Sequence, residues 1–493
     1  MRQVPFMLMR GGTSRGPYFL ANDLPKSREQ RGKVLLHAMG SPDPFGSQAN
    51  GLGGGGVSIL SKAAIVCKAE DDPGSAGASS TTVDVCYTFA QVGTREPAVK
   101  WKANCGNIMS GVGPFAILRG LVDLTQNDLA VGYKSVRVLN TNTSTRGVVK
   151  VPLNRGCPSL SCNGDLHPRL SNEVLPQAFR YADEDVAAKA GIPVEVSFLD
   201  VLGPLTGKIF PTGKRIDVIQ GVRCTCIDSA NPVVLMHGAD LSQSLLANPV
   251  GHDETIQGKS EVYASHSSCD MIISNRKKRE PIVFPDLDDA HSEETQRFVA
   301  DLAARHFGEN VVSTNLIHEH IRRMFESFAT LGYQNPESLN SDTYFLSKLE
   351  QVRREASRVM GMGDARGKNL PKVCVLSPPL NPLHSIASRY FVPDRCHSAH
   401  AVTGAIAIAV ATTFEGTVAD SINVFQTGER RNVVVEHPSG TVTIEMTLDV
   451  SGSPVGKTTG EKVNGRVLEA KIRRTTRPIV DGKLFVPEQF YAE

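Results

Sequence analysis

The chain has 493 residues, 40% of them hydrophobic and 21% charged, and a formal net charge of +2 at pH 7. This composition is typical of a soluble globular protein, and the length predicts two or more domains, or two lobes that share a cleft. The balanced charge argues against a nucleic-acid partner. The absence of an apolar run near the roughly 18 residues of a membrane span argues against a membrane protein.

The first predicted element is a strand at the N-terminus. Residues 1–10 lack the long apolar core and the cleavage site of a signal peptide, so we interpret them as part of the fold. The ten cysteines form no CxxC pair and no Cys/His cluster at zinc spacing, which favours free thiols in a reducing compartment. We therefore expect a cytoplasmic location and no metal site.

A glycine-rich turn with two cations and two hydroxyls follows this strand, at residues 10–16 (RGGTSRG). An arginine can bind a carboxylate through two parallel hydrogen bonds, so Arg10 and Ser14 are candidates for carboxylate binding. An ordinary turn explains the same residues equally well, and the motif alone does not decide.

A second glycine run ends at Gly55 and Gly56 and is followed by Ser58 and Lys62. Consecutive glycines let the backbone approach a ligand closely and offer unobstructed N–H donors. Lys62 directly precedes the apolar run 63–66, which predicts a strand edge near buried surface. Burial lowers the pKa of a lysine and lets it exchange protons near neutrality. The alternative is a surface lysine whose stem packs on apolar neighbours.

The most informative motif is the cysteine in residues 104–116 (NCGNIMSGVGPFA). The small, apolar run after Cys105 predicts a tightly packed helix with the thiol at its first turn. The N-terminal end of a helix favours a thiolate, and its unpaired N–H groups, at Gly106 and Asn107, can also bind a carboxylate. The alternative is a small core thiol, although a thiol that only fills space does not need the flanking Asn and Gly residues.

The chain divides into two predicted lobes, residues 1–192 and 193–493. The second lobe opens again with strands, and the polar segment of about 252–345 is interpreted as an insertion on it. That segment contains a basic cluster at 276–279, interpreted as a solvated loop. We expect the C-terminal segment to return to the first lobe.

A second unusual helix is predicted near the start of the last 100 residues. Residues 398–409 (SAHAVTGAIAIA) are small on every face, which is typical of a helix surrounded by protein. Thr403 and Gly404 lie at its start, and Cys396 and His397 precede it. Because the Cys105 helix has the same character, the two lobes suggest a duplicated architecture.

Taken together, these motifs resemble the PrpF family of 2-methylaconitate cis–trans isomerases and its relatives. The relatives include fungal aconitate Δ-isomerases, methylitaconate Δ-isomerases and 4-oxalomesaconate tautomerases. The resemblance rests on the combination of motifs RGGTSRG, GGGGVSILSK, NCGNIMSGVGPFA, NTNT, FPTG, IDSANP, AVTGA, HPSG and RRTTRPIVDGKLFVP. It covers nearly the whole chain apart from the insertion, and the style of the sequence favours a fungal aconitate Δ-isomerase.

The resemblance implies an α/β fold of the diaminopimelate-epimerase type. In this fold two similar lobes each wrap a curved sheet around a central helix, and the active site lies between the lobes. It assigns catalysis to Lys62 and Cys105 and leaves Cys396 without a role. We expect the substrate to contact residues in both lobes: Arg10, Ser14, Gly55, Gly56, Ser58, Gly106, Asn107, Thr403 and Gly404.

The implied reaction moves a proton and a double bond in an unsaturated tricarboxylate without a cofactor, and conversion of cis-aconitate to trans-aconitate is preferred. Alternatives are a 2-methylaconitate isomerase, a 4-oxalomesaconate tautomerase, an amino-acid epimerase with two thiols, or a noncatalytic accessory protein. The expected partner is a small tricarboxylate, and the oligomeric state is left open, with a homodimer as one option.

Overall fold

The computed structural model describes twelve stretches of the chain. They are residues 1–55, 58–71, 82–102, 104–153, 191–199, 201–241, 335–379, 381, 383–392, 395–422, 428–449 and 466–491. The basic cluster and residues 252–334 of the predicted insertion lie outside these described residues.

Strands make up most of the described structure. They are β1 (Arg2–Gly11), β2 (Ser14–Leu20), β3 (Lys62–Lys68), β4 (Val85–Val92), β5 (Val99–Lys100), β6 (Tyr133–Asn140), β7 (Thr145–Pro152), β8 (Ile192–Phe198), β9 (Asp217–Ile219), β10 (Val222–Ser229), β11 (Asn231–His237), β12 (Lys372–Ser377), β13 (Ile386–Phe391), β14 (Arg430–His437), β15 (Gly440–Asp449) and β16 (Arg466–Val486).

Seven α-helices are described in these stretches, with short 3-10 turns between them. The helices are α1 (Arg28–Met39), α2 (Gly106–Met109), α3 (Val112–Leu118), α4 (Gln126–Val131), α5 (Pro336–Ser341), α6 (Thr343–Val359) and α7 (Val402–Ala411). The 3-10 turns are Ala21–Asp23, Ser58–Leu60, Ala69–Asp71 and Glu488–Phe490. Among the described helices, none combines the length and the apolar character needed to cross a membrane.

The strand pairing repeats itself. In the first half, β1–β2 is antiparallel, β2–β3 parallel, β3–β4 antiparallel and β4–β6 parallel, and β6–β7 and β7–β8 are antiparallel. The second half shows the same six relations in the same order, from β10–β11 to β15–β16. The chain therefore contains two copies of one topology, in which β1 corresponds to β10, β3 to β12 and β8 to β16.

The last strand joins the two copies. The first part of β16 pairs with both β15 and β8, and its remainder, from Thr476 to Val486, runs antiparallel to β1. Because β16 lies between β8 and β1, the strands of the first half close on themselves around α2 and α3. Strand β8 spans the predicted boundary at 192/193, and β16 carries the C-terminal segment back to the first lobe.

Each half surrounds a central helix made of small residues. All ten residues of α7 are buried, and this helix packs against β10, β11, β15 and β16. In the first half, α2 and α3 take the same place against β1, β2, β3, β6 and β7. Gly111 and Gly113 allow the close approach: a Cβ on Gly111 would lie 2.4 Å from the Tyr18 hydroxyl, and one on Gly113 would lie 2.7 Å from Val149 Cγ1. The small residues that predicted these helices are thus required by their packing.

A buried arginine fixes the segment that leads into β12. Arg353, on α6, is 2% exposed. It pairs with Glu350 and also donates hydrogen bonds to the backbone carbonyls of Ala365, Lys368 and Pro371. These bonds hold the loop that brings β12 to the boundary between the two halves.

We expect Arg353→Met to lower the free energy of unfolding by about 3 kcal/mol, because several buried acceptors lose their donor. The neighbouring Arg354→Met is the control. Arg354 makes an exposed ion pair with Asp364, and such pairs contribute about 0–1 kcal/mol. Urea denaturation of both variants measures the difference. Equal losses in the two variants would contradict this role for Arg353.

Candidate active site

A cavity of about 90 Å³ lies between the two halves. Its walls come from both copies of the repeated topology, and none of the described residues that line it carries a carboxylate. The first half contributes Ser58, Ile59, Lys62, Phe89, Gln91, Asn104, Cys105, Gly106 and Asn107. The second half contributes Asn231, Asn369, Leu370, Lys372, Tyr390, Val392, His397, Ala401, Val402 and Thr403.

Cys105 lies where the two central helices meet. It is the N-cap residue of α2, with extended backbone angles (φ −134°, ψ 99°), and no side chain caps this end of the helix. The next residue, Gly106, packs directly on the first residue of α7, because a Cβ there would lie 2.5 Å from Val402 Cγ1. Only glycine at this position lets the starts of the two helices approach each other so closely. The half-buried Cys105 side chain therefore lines the cavity at the place where the two halves meet.

Lys62 is the first residue of β3, at the end of the strand nearest the cavity. Its Nζ donates a hydrogen bond to Ser14 Oγ at 3.2 Å, and Ser14 is 1% exposed at the start of β2. Since β2 and β3 are parallel neighbours, the sheet itself aligns the two side chains. Ser14, which does not itself line the cavity, thus orients the Lys62 amino group through this hydrogen bond.

An asparagine from the second half connects the elements around Cys105. Asn231 Nδ2 donates to the carbonyl of Asn104 and to Thr403 Oγ1, both at 3.1 Å. Its Oδ1 accepts a hydrogen bond from the Asn104 N–H at 3.4 Å. From the other side, Asn140 Nδ2 donates to Asn104 Oδ1. The residue before the thiol is therefore held by both halves of the chain.

Asn107 holds the N-terminal glycine turn. Its Nδ2 donates to Thr13 Oγ1 at 2.9 Å, and its Oδ1 accepts from Arg474 Nε at 3.3 Å. At Gly12 (φ +51°) a Cβ would lie 2.2 Å from Asn107 Oδ1, so this turn needs glycine for both its conformation and its space. The RGGTSRG motif is thereby fixed against α2.

The expected substrate residues separate into two groups. Ser58, Gly106, Asn107 and Thr403 line the cavity with Lys62 and Cys105, whereas the other described candidates do not line it: Arg10, Ser14, Gly55 and Gly404. Gly56 lies outside the described residues.

The residues that do not line the cavity have other contacts. Arg10 donates to the carbonyls of Gly12 and Thr475, and burial, with the charge of Arg477, lowers its pKa. Gly404 packs on Tyr390, where a Cβ would lie 2.3 Å from the ring. Arg10 therefore braces the turn that carries Ser14, and Gly404 keeps the tyrosine ring close to α7.

Sequence reasoning missed several residues of the cavity. Asn231 belongs to the IDSANP motif, which could have signalled it. Lys372, Asn369 and Tyr390 lie in no motif that we singled out, and only the repeated topology brings them to the cavity.

Cys396 does not lie opposite Cys105. It is 4% exposed and does not line the cavity, and burial raises its pKa to about 12, with Arg389 acting in the opposite direction. The N-cap residue of α7, which corresponds to Cys105 in the repeat, is Ala401. Among the described cysteines, only Cys105 lines the cavity, so the two facing thiols that an amino-acid epimerase requires are absent from these residues.

The second half contains three buried histidines, His397, His400 and His437. Of these, His397 lines the cavity. Burial, followed by the charge of Lys62, lowers the pKa of His397 to about 3. Burial also lowers the pKa values of His400 and His437 to about 3, with further contributions from His437 and Arg474 respectively. His397 Nδ1 accepts the Ala399 N–H at 2.9 Å, so in the neutral ring the proton is on Nε2. At neutral pH these side chains are polar but uncharged.

Because of these three histidines, we expect the free energy of unfolding to decrease in acid. Each binds a proton near pH 6.5 in the unfolded chain but only near pH 3 in the folded chain. The contribution of these neutral histidines to the free energy of unfolding is therefore fully present above pH 6.5, and it is lost as the pH falls below that value. When the pH is lowered from 7.5 to 5.5, we expect the free energy of unfolding to fall by about 4 kcal/mol because of these three histidines together. Urea denaturation at both pH values tests this, and His437→Gln should remove about a third of the difference. A stability that is equal at the two pH values would contradict the expectation.

The chain is similar in sequence to known proteins along most of its length. The family model described as "PrpF protein" matches residues 1–245 and 285–487. A 4-oxalomesaconate tautomerase of Pseudomonas putida is 31% identical over 448 residues, which cover 91% of this chain and 90% of the relative. The putative isomerase YbhH of Escherichia coli is 30% identical over 487 residues, or 99% of this chain and 100% of the relative.

A solved structure supports the same assignment of fold. A methylitaconate-delta-isomerase superimposes with a TM-score of 0.57 at 22% identity, covering 100% of this chain and 97% of that one. The fold is therefore of the diaminopimelate-epimerase type, as predicted. The chain belongs to the PrpF family. It is an isomerase.

Proposed function

We propose that this isomerase moves a proton and a double bond within an unsaturated tricarboxylate, without a cofactor, and that it converts cis-aconitate to trans-aconitate. One observation carries the proposal: a thiol, two lysines and several amides line a cavity between the halves, and no acidic side chain among the described residues lines it with them. Such a site attracts a small polyanion and offers groups that can exchange protons.

The chemistry follows from the substrate. In cis-aconitate the CH₂ group between a carboxylate and the double bond is a weak carbon acid. Its deprotonation gives an allylic carbanion whose charge spreads into the carboxylate oxygens, and nearby cations and N–H donors stabilise that charge as it develops. Return of a proton to the other end of the allyl system shifts the double bond, and the product is aconitate in its trans form.

Lys62 and Cys105 share the two proton transfers in this proposal. Both line the cavity, and Ser14 orients the lysine through its 3.2 Å contact with Nζ. A thiol and an amine can each donate or accept a proton in general acid–base catalysis. The division of the two roles between them is left open.

The names of the relatives support an unsaturated carboxylic acid as the substrate. The Pseudomonas putida protein is a 4-oxalomesaconate tautomerase, and the structural relative is a methylitaconate-delta-isomerase. Both names describe the shift of a double bond in an unsaturated acid. 4-Oxalomesaconate is therefore one alternative substrate to aconitate. 2-Methylaconitate is the other, because a further relative, from Shewanella oneidensis, is a 2-methyl-aconitate isomerase. Residues that shape the cavity decide among the three acids.

The experiment is a proton NMR assay of the purified protein in D₂O with no added cofactor. Separate samples contain cis-aconitate, 2-methylaconitate, 3-methylitaconate and 4-oxalomesaconate. We expect deuterium to enter the allylic positions of cis-aconitate and trans-aconitate to accumulate. If another of these acids is turned over faster, that acid and not aconitate is the preferred substrate. If none of the four acids exchanges protons, the proposed reaction is wrong.

We also propose a cytoplasmic location, which the seven free thiols among the described residues support. Disulfide-free cysteines are usual in reducing compartments. Fractionation of the source cells, with a cytosolic marker enzyme followed in parallel, tests this location.

A further inference from the structure

The repeated topology gives Lys62 a counterpart in the second half. Lys62 is the first residue of β3, and Lys372 is the first residue of β12. Strand β3 lies between a parallel neighbour, β2, and an antiparallel one, β4, and β12 lies in the same way between β11 and β13. The two lysines therefore begin corresponding strands of the two copies.

Both lysines reach the same cavity. Lys62 lines it from the first half and Lys372 from the second. The positive charges of both contribute to the low pKa of His397, which places each of them near one ring. The residues three positions before the two lysines, Ile59 and Asn369, also line the cavity.

The two copies differ at the position of the thiol. The N-cap residue of α2 is Cys105, whereas that of α7 is Ala401, which has no titratable side chain. The first half thus supplies a cation beside a thiol, and the second half supplies a cation without one. A lysine in such surroundings is suited to bind an anion rather than to form part of a proton-transfer pair.

We propose that Lys372 binds a terminal carboxylate of the substrate from the second half, opposite the proton-transfer groups. This proposal rests on the proposed function, because it concerns the substrate of the same site. It makes Lys372 a determinant of specificity: acids with a carboxylate at both ends of the reacting allyl group gain an ion pair that shorter acids cannot form. The first half then performs the proton transfer, and the second half selects the substrate.

A binding experiment tests the proposal without turnover. The probes are tricarballylate, which has three carboxylates and no double bond, and methylsuccinate, which lacks one terminal carboxylate. In calorimetry we expect Lys372→Met to weaken tricarballylate about 10–100-fold and methylsuccinate less than about 3-fold. Lys68→Met is the matched control. Lys68 lies at the far end of β3, is 44% exposed and pairs with Glu70, so its loss should change neither affinity.

Kinetics give a second readout. With an acid that the wild type isomerises, Lys372→Met should raise KM about 10–100-fold and change kcat less than about 3-fold. Lys372→Arg retains the charge and should restore most of the affinity. Three results would overturn the role: an unchanged affinity for tricarballylate, an equal loss for both probes, or a fall in kcat at constant KM. If the wild type turns over none of the acids, the proposed reaction fails, and the tricarballylate comparison still decides whether Lys372 binds a carboxylate.

Discussion

Cys105→Ala is expected to abolish the exchange of allylic protons with D₂O and to lower kcat by about 10²–10⁴-fold. Cys105 is the N-cap residue of α2 and its side chain lines the cavity, and no other described cysteine lines that cavity to replace it. Because alanine fits the same position on the helix, the fold should persist, and the loss should appear in kcat more than in KM. Proton NMR of the substrate in D₂O and steady-state kinetics measure the two effects.

Two further variants make this experiment specific. Lys62→Met should show a loss of the same order, because it removes the other proposed proton-transfer group from the cavity. Cys67→Ala, on β3, removes a half-buried thiol that does not line the cavity, and it should retain wild-type exchange. Full exchange in both Cys105→Ala and Lys62→Met would exclude the proposed mechanism. A loss in the Cys67→Ala control would show that thiol replacement damages the protein generally.

The two central helices could be predicted from sequence because their signals are local. Small residues on every face of a helix mean that protein surrounds it, and the runs after Cys105 and around Gly404 contain such residues. The structure gives the reason in distances: a Cβ on Gly106 would overlap Val402, and one on Gly404 would overlap Tyr390. At these positions, the composition and spacing of small residues were sufficient to predict a buried helix.

The rest of the site could not be predicted because it depends on contacts between distant parts of the chain. Asn231 lies 127 residues from Asn104, yet it makes three hydrogen bonds that fix the residue before the thiol and Thr403. Lys372 belongs to no recognised motif. It lines the cavity because β12 occupies the same position in the second copy of the topology as β3 does in the first. We expect from the sequence that the C-terminal segment returns to the first lobe, but not that β16 pairs with β1, which joins residues about 470 positions apart. No local pattern in the sequence encodes such pairings.

Arg10 illustrates how the residue types of a motif suit more than one kind of partner. Its guanidinium suits a carboxylate, but in the structure it donates to backbone carbonyls of the turn and of β16. The motif RGGTSRG therefore contributes to the site mainly through Ser14 and through its contact with Asn107. The same residue types can serve a ligand or the backbone, and tertiary structure determines which of the two they serve.

Asn231→Asp should weaken both the fold and the binding of anions. The substitution removes an NH₂ group that donates to the Asn104 carbonyl and to Thr403 Oγ1, at a side chain that is 4% exposed. Leaving a buried carbonyl without a donor, beside a new carboxylate, should lower the free energy of unfolding by about 2–4 kcal/mol. The new negative charge lies at a wall lined by Lys372 and Cys105, where it opposes a polyanionic substrate and should raise KM about 10–100-fold.

Two controls separate the charge from the lost hydrogen bonds. Asn231→Ala removes the same bonds without adding a charge, so it should lose comparable stability and raise KM much less. Asn127→Asp adds the same charge at an exposed position on α4 and should leave both quantities unchanged. Urea denaturation gives the stability, and steady-state kinetics or tricarballylate calorimetry gives the affinity. Equal KM values in Asn231→Asp and Asn231→Ala would mean that the cavity does not recognise its ligand through negative charge, because only the aspartate variant changes the charge at the wall that both halves of the chain share.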